Sequence, residues 1–150
     1  MQVVLRPWAW ASIVASCLEV YRKEGFGVLV GEVAKERLTV YSSIPFQTAQ
    51  RKFVSTEIRG AKMSLIQAAI DSQCKMKILG CWHSHTDSYR NPAVLAPSIV
   101  DIAMLRGEAR GQISLIVTVS GSQEKGFELS WGAWRINRRG GLCWVPGEVA

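Results

Sequence analysis

The stretch that decides the fold is GCWHSHTDSYRNPAVLAPSIVDIAML, Gly80 to Leu105. Its start completes the run KMKILGCWHSH (75–85), which becomes apolar on both faces near its end, the mark of a central, buried strand. Residues 86–96 carry Asp, Ser, Asn and Pro and read as a loop. A helix then starts near Ser98 and runs to about Arg106. Both histidines of the chain, His83 and His85, fall inside this unit. Residues i and i+2 of an extended segment point the same way, so the two imidazoles project together and Ser84 faces away.

Two imidazoles on one side make two legs of a tetrahedral metal site. They stand at the C-terminal end of a buried strand, where α/β folds open their ligand crevices. Asp101, in the first turn of the next helix, can be aimed at the same point. Two histidines and one carboxylate leave a fourth position for water, the pattern of a catalytic zinc rather than a structural one. Water on zinc ionises near pH ~7, so hydroxide is available at neutral pH. A plainer reading uses the same residues: Ser98 and Asp101 also spell a helix capping box, and a histidine pair alone is common by chance. A hydrolytic site needs an acid/base as well. Glu24 heads EGFGVLVG (24–31), whose glycines at 27 and 31 allow the backbone to turn sharply from helix to strand and to approach its neighbours closely.

The rest of the chain surrounds this unit with short elements. Residues 8–24 show helical spacing ending at Gly25, after a strand fragment at the N-terminus, and do not read as a signal peptide. GVLVGEV (27–33) and RLTVYSS (37–43) read as an antiparallel pair, 44–57 as a polar loop or short hairpin, and 60–73 as a helix. Residues 112–121 and 127–136 form two strands joined by a turn, and the tail 140–150 adds an edge strand. The core order is α-β-β-α-β-α-β-β, one α/β domain over 1–150 with a mixed sheet covered by helices.

Composition excludes several classes. The chain has 150 residues and no run of eighteen apolar ones, so no transmembrane helix is expected and no membrane partner. Its four cysteines form no C-x-x-C pair, which favours a reducing, cytoplasmic setting. The net charge of +6 comes from basic residues spread along the chain, and no nucleic-acid motif accompanies them, so no nucleic acid is expected. Trp8, Trp10, Trp131, Trp134 and Trp144 sit in apolar patterns and are assigned to core or rim packing. The N-terminal helix, with Trp8 and Trp10, offers a surface for a homodimer.

Taken together, Glu-x-x-Gly-x-Leu-x-Gly (24–31), Gly-x-x-His-Ser-His (80–85) and Ser-x-x-Asp (98–101) resemble the JAB/MPN (JAMM) zinc metalloproteases. The likeness runs from about Glu24 to Ile136. It implies a single MPN domain of cytidine-deaminase-like architecture, with a curved mixed sheet flanked by helices. It implies one catalytic Zn2+ on His83, His85 and Asp101, Glu24 as the acid/base, and Ser98 as hydrogen-bond donor to the oxyanion. Glu32 stands one past Gly31 and does not match the motif's acid. The implied substrate is a ubiquitin-like protein or its conjugate, cleaved after its C-terminus, with the tail added as a strand near 40–57. Two departures touch the substrate groove: Thr86 replaces the proline common after the second histidine, and the loop to Ser98 is longer than usual. Alternatives are an inactive scaffold of the same fold, or release of an amino acid from a sulfur-carrier protein. A cysteine peptidase built on Cys81 or Cys74 with His83 lacks an orienting partner, and a zinc deaminase lacks its Pro-Cys-x-x-Cys.

Overall fold

Leu142–Val145 and Gly147–Val149 are both strands, and only Pro146 separates them. They nevertheless occupy opposite edges of one eight-stranded sheet. A single residue spans only about 3.5 Å, so the sheet has to curl until its two edges meet. The computed structural model describes residues 1–46, 61–87, 93–108 and 111–150, with the side chains of 61–63 excepted. In chain order the elements are β1 (Gln2–Leu5), α1 (Pro7–Glu19), β2 (Phe26–Ala34), β3 (Arg37–Pro45), α2 (Ala61–Cys74), β4 (Lys77–Thr86), α3 (Ile99–Gly107), β5 (Ile113–Ser122), β6 (Gly126–Ile136), β7 (Leu142–Val145) and β8 (Gly147–Val149). The strand order is β7-β6-β5-β4-β2-β3-β1-β8, with β4–β5, β1–β3 and β1–β8 parallel and the other pairs antiparallel.

This is the mixed, curved sheet flanked by helices that the sequence implied, with differences in detail. The first helix stops at Glu19 rather than running to 24, because Arg22 adopts a left-handed φ of 75° that no helix accommodates. The N-terminal fragment is a full strand, β1, held between β3 and β8. The tail gives two strands, one for each edge of the sheet. Trp8 is 84% exposed and does not pack as expected, whereas Trp10 and Trp131 join the main core and Trp134 and Trp144 meet edge to face at 5.2 Å on the rim. Residues 47–57 of the expected loop or hairpin lie outside the described residues, as do 88–92 of the loop before Ser98. Among the described residues, no helix is long and apolar enough to cross a membrane.

The curled sheet has two faces. Its inner face wraps α1: Ala9, Ile13 and Cys17 pack with Leu29, Leu79, Trp82, Leu115 and Val117. Trp82 is fully buried there, and an aromatic of that size removes roughly 150–250 Å² from water, about 4–6 kcal/mol. Gly27 lies opposite Trp82, and a Cβ at 27 would collide with the indole nitrogen. The motif glycines therefore make room within the sheet rather than turning the chain, since neither Gly27 nor Gly31 has a positive φ. The outer face carries a smaller cluster, Val28, Val30 and Ile78 with Ile66 and Ile70 of α2.

A β-bulge decides which residues of β4 face outward. Val30 pairs with Ile78 but Leu29 pairs with Gly80, so Leu79 is an extra residue in β4. Ile78 and Cys81 then both face outward although three residues apart. Parity beyond the bulge puts His83 and His85 on the outer face and Trp82 and Ser84 on the inner one. Without the extra residue the assignment would invert. Gly80 makes the bulge feasible: its φ is +152°, and a Cβ there would overlap the Ile113 carbonyl oxygen of β5.

Candidate metal centre

β4 ends in His83, Ser84, His85 and Thr86, all paired in parallel with β5, which fixes the direction of both imidazoles. The chain returns through a loop to α3, whose N-cap is Ser98. The Ser98 hydroxyl accepts from the Asp101 N–H at 3.2 Å, and the Ser98 N–H donates to Asp101 Oδ2 at 2.7 Å. This reciprocal box fixes the start of the helix, so the plainer reading of Ser-x-x-Asp is correct. It also leaves the carboxylate pointing back at the strand end.

Asp101 Oδ1 lies 3.2 Å from His83 Nε2, and Asp101 Oδ2 lies 3.4 Å from His85 Nε2. The two Nε2 atoms are 3.1 Å apart. His85 Nδ1 is 2.6 Å from the Val94 carbonyl oxygen, an acceptor only, so Nδ1 carries the proton and a neutral His85 offers a lone pair at Nε2. Burial raises the pKa of the Asp101 carboxyl, but the neighbouring His83 and His85 side chains outweigh it, and the group stays well below the ordinary carboxylate range. The side chains of all three residues are between 10% and 17% exposed, sheltered but reachable.

The donor set fits a small divalent cation. One ligand atom from each residue lies within 4.8 Å of the others. Atoms held ~2.0–2.1 Å from a common centre at tetrahedral angles sit about 3.3 Å apart, close to the separations seen here. Nitrogen lone pairs and a carboxylate gathered this tightly repel one another unless a proton or a metal ion sits among them.

Glu24 and Ser98 flank this cluster. Phe26 of β2 pairs with His83, and the Ser84 N–H donates to the Gly25 carbonyl at 3.0 Å. The same register puts Glu24 beside His85 and on the outer face, half-buried. It lies in the segment between α1 and β2 rather than at the helix end. Glu32 is at the other end of the strand, since Gly31 pairs with Lys77, and it accepts a 2.6 Å hydrogen bond from Tyr41. Six residues of strand separate Lys77 from His83, roughly 20 Å, so Glu32 is out of reach.

Two contributors were not found by reading the sequence. The Val94 carbonyl leaves no trace there, being a backbone group. Ser84 does leave a signal: a hydroxyl at the inward parity of a buried strand, between Trp82 and the strand end. It is fully buried, and its oxygen accepts from the Gly25 N–H at 2.7 Å.

The solution structure of protein DSY2949 from Desulfitobacterium hafniense shares this fold, with a TM-score of 0.66, 15% sequence identity and coverage of 99% of this chain and 92% of that one. No curated protein matches the sequence. The family described as prokaryotic homologs of the JAB domain matches residues 8–137, the span that holds Glu24, both histidines, Ser98, Asp101 and the sheet that positions them, and the chain belongs to that family.

Proposed function

We propose that the chain is a zinc-dependent peptidase or isopeptidase that cleaves after the C-terminus of a ubiquitin-like protein. The observation that carries the reading is the convergence of His83, His85 and Asp101 at 3.1–3.4 Å beside the segment that leads from Glu24 into β2. When bound, a zinc ion supplies an acidified water and polarises the scissile carbonyl. Glu24 accepts the proton of the attacking water and later returns it to the departing amine. Ser98 already accepts from the Asp101 N–H, so its own hydroxyl proton remains to donate to the developing oxyanion. His85 is held in one tautomer by Val94, and Asp101 is held by the cap, so neither needs to reorganise during the reaction.

None of the four cysteines is disulfide-bonded, which agrees with the proposed cytoplasmic setting. The segment assigned to receive the substrate tail, 40–57, is described only as far as Phe46, where the Phe46 N–H donates to the Phe26 carbonyl. The test is metal content together with cleavage of a ubiquitin-like protein carrying a short C-terminal peptide extension. One zinc per chain and release of the peptide are expected, with kcat lowered about 10²- to 10⁴-fold in Glu24→Gln. Pure protein that binds no zinc and cleaves nothing sinks the proposal in favour of a scaffold.

A further inference from the structure

We propose that Ser84, the residue between the two histidines, is a positioning residue that holds Glu24 at the metal centre by clamping the peptide unit joining Glu24 to Gly25. The inference rests on the role given to Glu24 above. That peptide unit carries the Gly25 N–H, which donates to Ser84 Oγ at 2.7 Å in a buried setting. The following peptide is gripped as well, because the Gly25 carbonyl accepts from the Ser84 N–H at 3.0 Å. Both peptide planes flanking Gly25 are therefore fixed to β4, and the Glu24 Cα is one bond beyond the clamp.

The backbone around Glu24 belongs to no helix or strand. Residues 20–25 form no regular element, Arg22 sits at a left-handed φ of 75°, and Arg22 and Lys23 are exposed. Gly25 has no side chain with which to hold its own backbone. The Ser84 hydroxyl, which accepts from the Gly25 N–H, also donates to the Cys17 sulfur of α1, so one hydroxyl joins the helix, the segment after it and the strand. The residues on either side of Ser84 aim at the candidate ion from the opposite face. The two histidines and the acid/base are thus referenced to three consecutive residues of one strand, and their spacing is kept if the strand shifts.

A purely structural role for a buried serine predicts lost stability and nothing more. The proposal predicts a loss that vanishes when Glu24 is already disabled. The probe is acetohydroxamic acid, which becomes a bidentate metal ligand on passing its hydroxyl proton to a neighbouring carboxylate, titrated into the Co2+-loaded full chain. Ser84→Ala is expected to weaken its binding about 10- to 100-fold with Co2+ binding unchanged. Ser84→Ala combined with Glu24→Gln is expected to bind it no more weakly than Glu24→Gln alone. Ser84→Thr and Ser84→Val have the same shape and differ by the hydroxyl, so Thr is expected to bind the probe more tightly than Val even if both are less stable. Amide exchange at Gly25 should accelerate in Ser84→Ala and Ser84→Val. Wild-type probe affinity in Ser84→Ala, with affinity lost in Glu24→Gln, overturns the clamp alone. Wild-type affinity in Glu24→Gln overturns the role of Glu24 and the clamp with it.

Discussion

Asp101 holds two positions at once, third residue of a capping box and third donor of the candidate metal centre, and two substitutions can separate them. Asp101→Ala removes the acceptor of the Ser98 N–H, seen at 2.7 Å, and the only acid of the first turn of α3. Losing half of the box costs about 1 kcal/mol, and losing a carboxylate at a helix N-terminus a further ~0.3–1 kcal/mol, so metal-free Asp101→Ala should be about 1–2 kcal/mol less stable than wild type. Asp101→Asn keeps an oxygen that can accept from Ser98 and loses only the charge, so its metal-free deficit should stay below about 1 kcal/mol. With metal the order changes. An ion present at 100 times its dissociation constant stabilises the wild type by about 2.7 kcal/mol. Both variants lack the anionic oxygen next to His83 and His85 and should gain less than about 1 kcal/mol under the same conditions, which corresponds to affinity at least ~20-fold weaker. Urea unfolding in chelator and in excess zinc chloride gives all six free energies. A full metal gain retained by Asp101→Asn would refute the assignment of Asp101 as a ligand. Equal metal-free losses in both variants would refute the separation of cap from charge.

Other outcomes follow from the same geometry. Gly80→Ala places a methyl on the Ile113 carbonyl at a φ of +152°, and should cost about 2–4 kcal/mol by urea unfolding; a loss under about 0.5 kcal/mol would mean that the bulge is not needed. Burial pushes the Cys17 thiol up to about 11, so at about pH 8 only about one molecule in a thousand holds the thiolate. Iodoacetamide under native conditions should therefore label the exposed Cys74 well before Cys17, as read by peptide mass spectrometry; comparable rates would show that the helix is not closed over the sheet. On the proposed mechanism Ser98→Ala should lower kcat about 10²- to 10³-fold and stability by about 1 kcal/mol, since the hydroxyl that accepts in the cap would also donate to the oxyanion. A change in stability alone, measured side by side with turnover, would leave Ser98 as a cap only.

Periodicity and the turn residues were enough to place most of the elements, because each buries an apolar face whose spacing is written in its own residues. GVLVGEV and KMKILGCW are examples, and their pairing as neighbours is what the register shows. What failed depended on partners distant in sequence. Helix α1 stops five residues before Glu24 because Arg22 turns the chain toward β4, and nothing local in YRKEG announces that. The two tail strands are specified by the edges they meet across the closing sheet, not by LCWV or GEV themselves. Trp8 follows an apolar pattern in the sequence, yet Pro7 starts the helix so that Trp8 projects away from the face carrying Ala9 and Ile13.

The site was legible for a different reason, and one step of the inference needed the fold. Alternation alone establishes that His83 and His85 share a face, but not which face. An inward pair would lie against α1 among Leu29 and Leu115, closed to water and substrate. The extra residue at Leu79 turns the pair outward, and it is tolerated because Gly80 leaves no Cβ between β4 and β5. The first glycine of Gly-x-x-His-Ser-His thus shapes the candidate site without touching it: it sets the parity that sends the histidines to Asp101 and Ser84 to Gly25. The spacing from Gly80 to His83 then matters as much as the spacing between the histidines, since inserting or deleting one residue there would exchange the two faces. A one-residue deletion between Gly80 and His83 should abolish metal binding while Asp101 keeps its cap on α3.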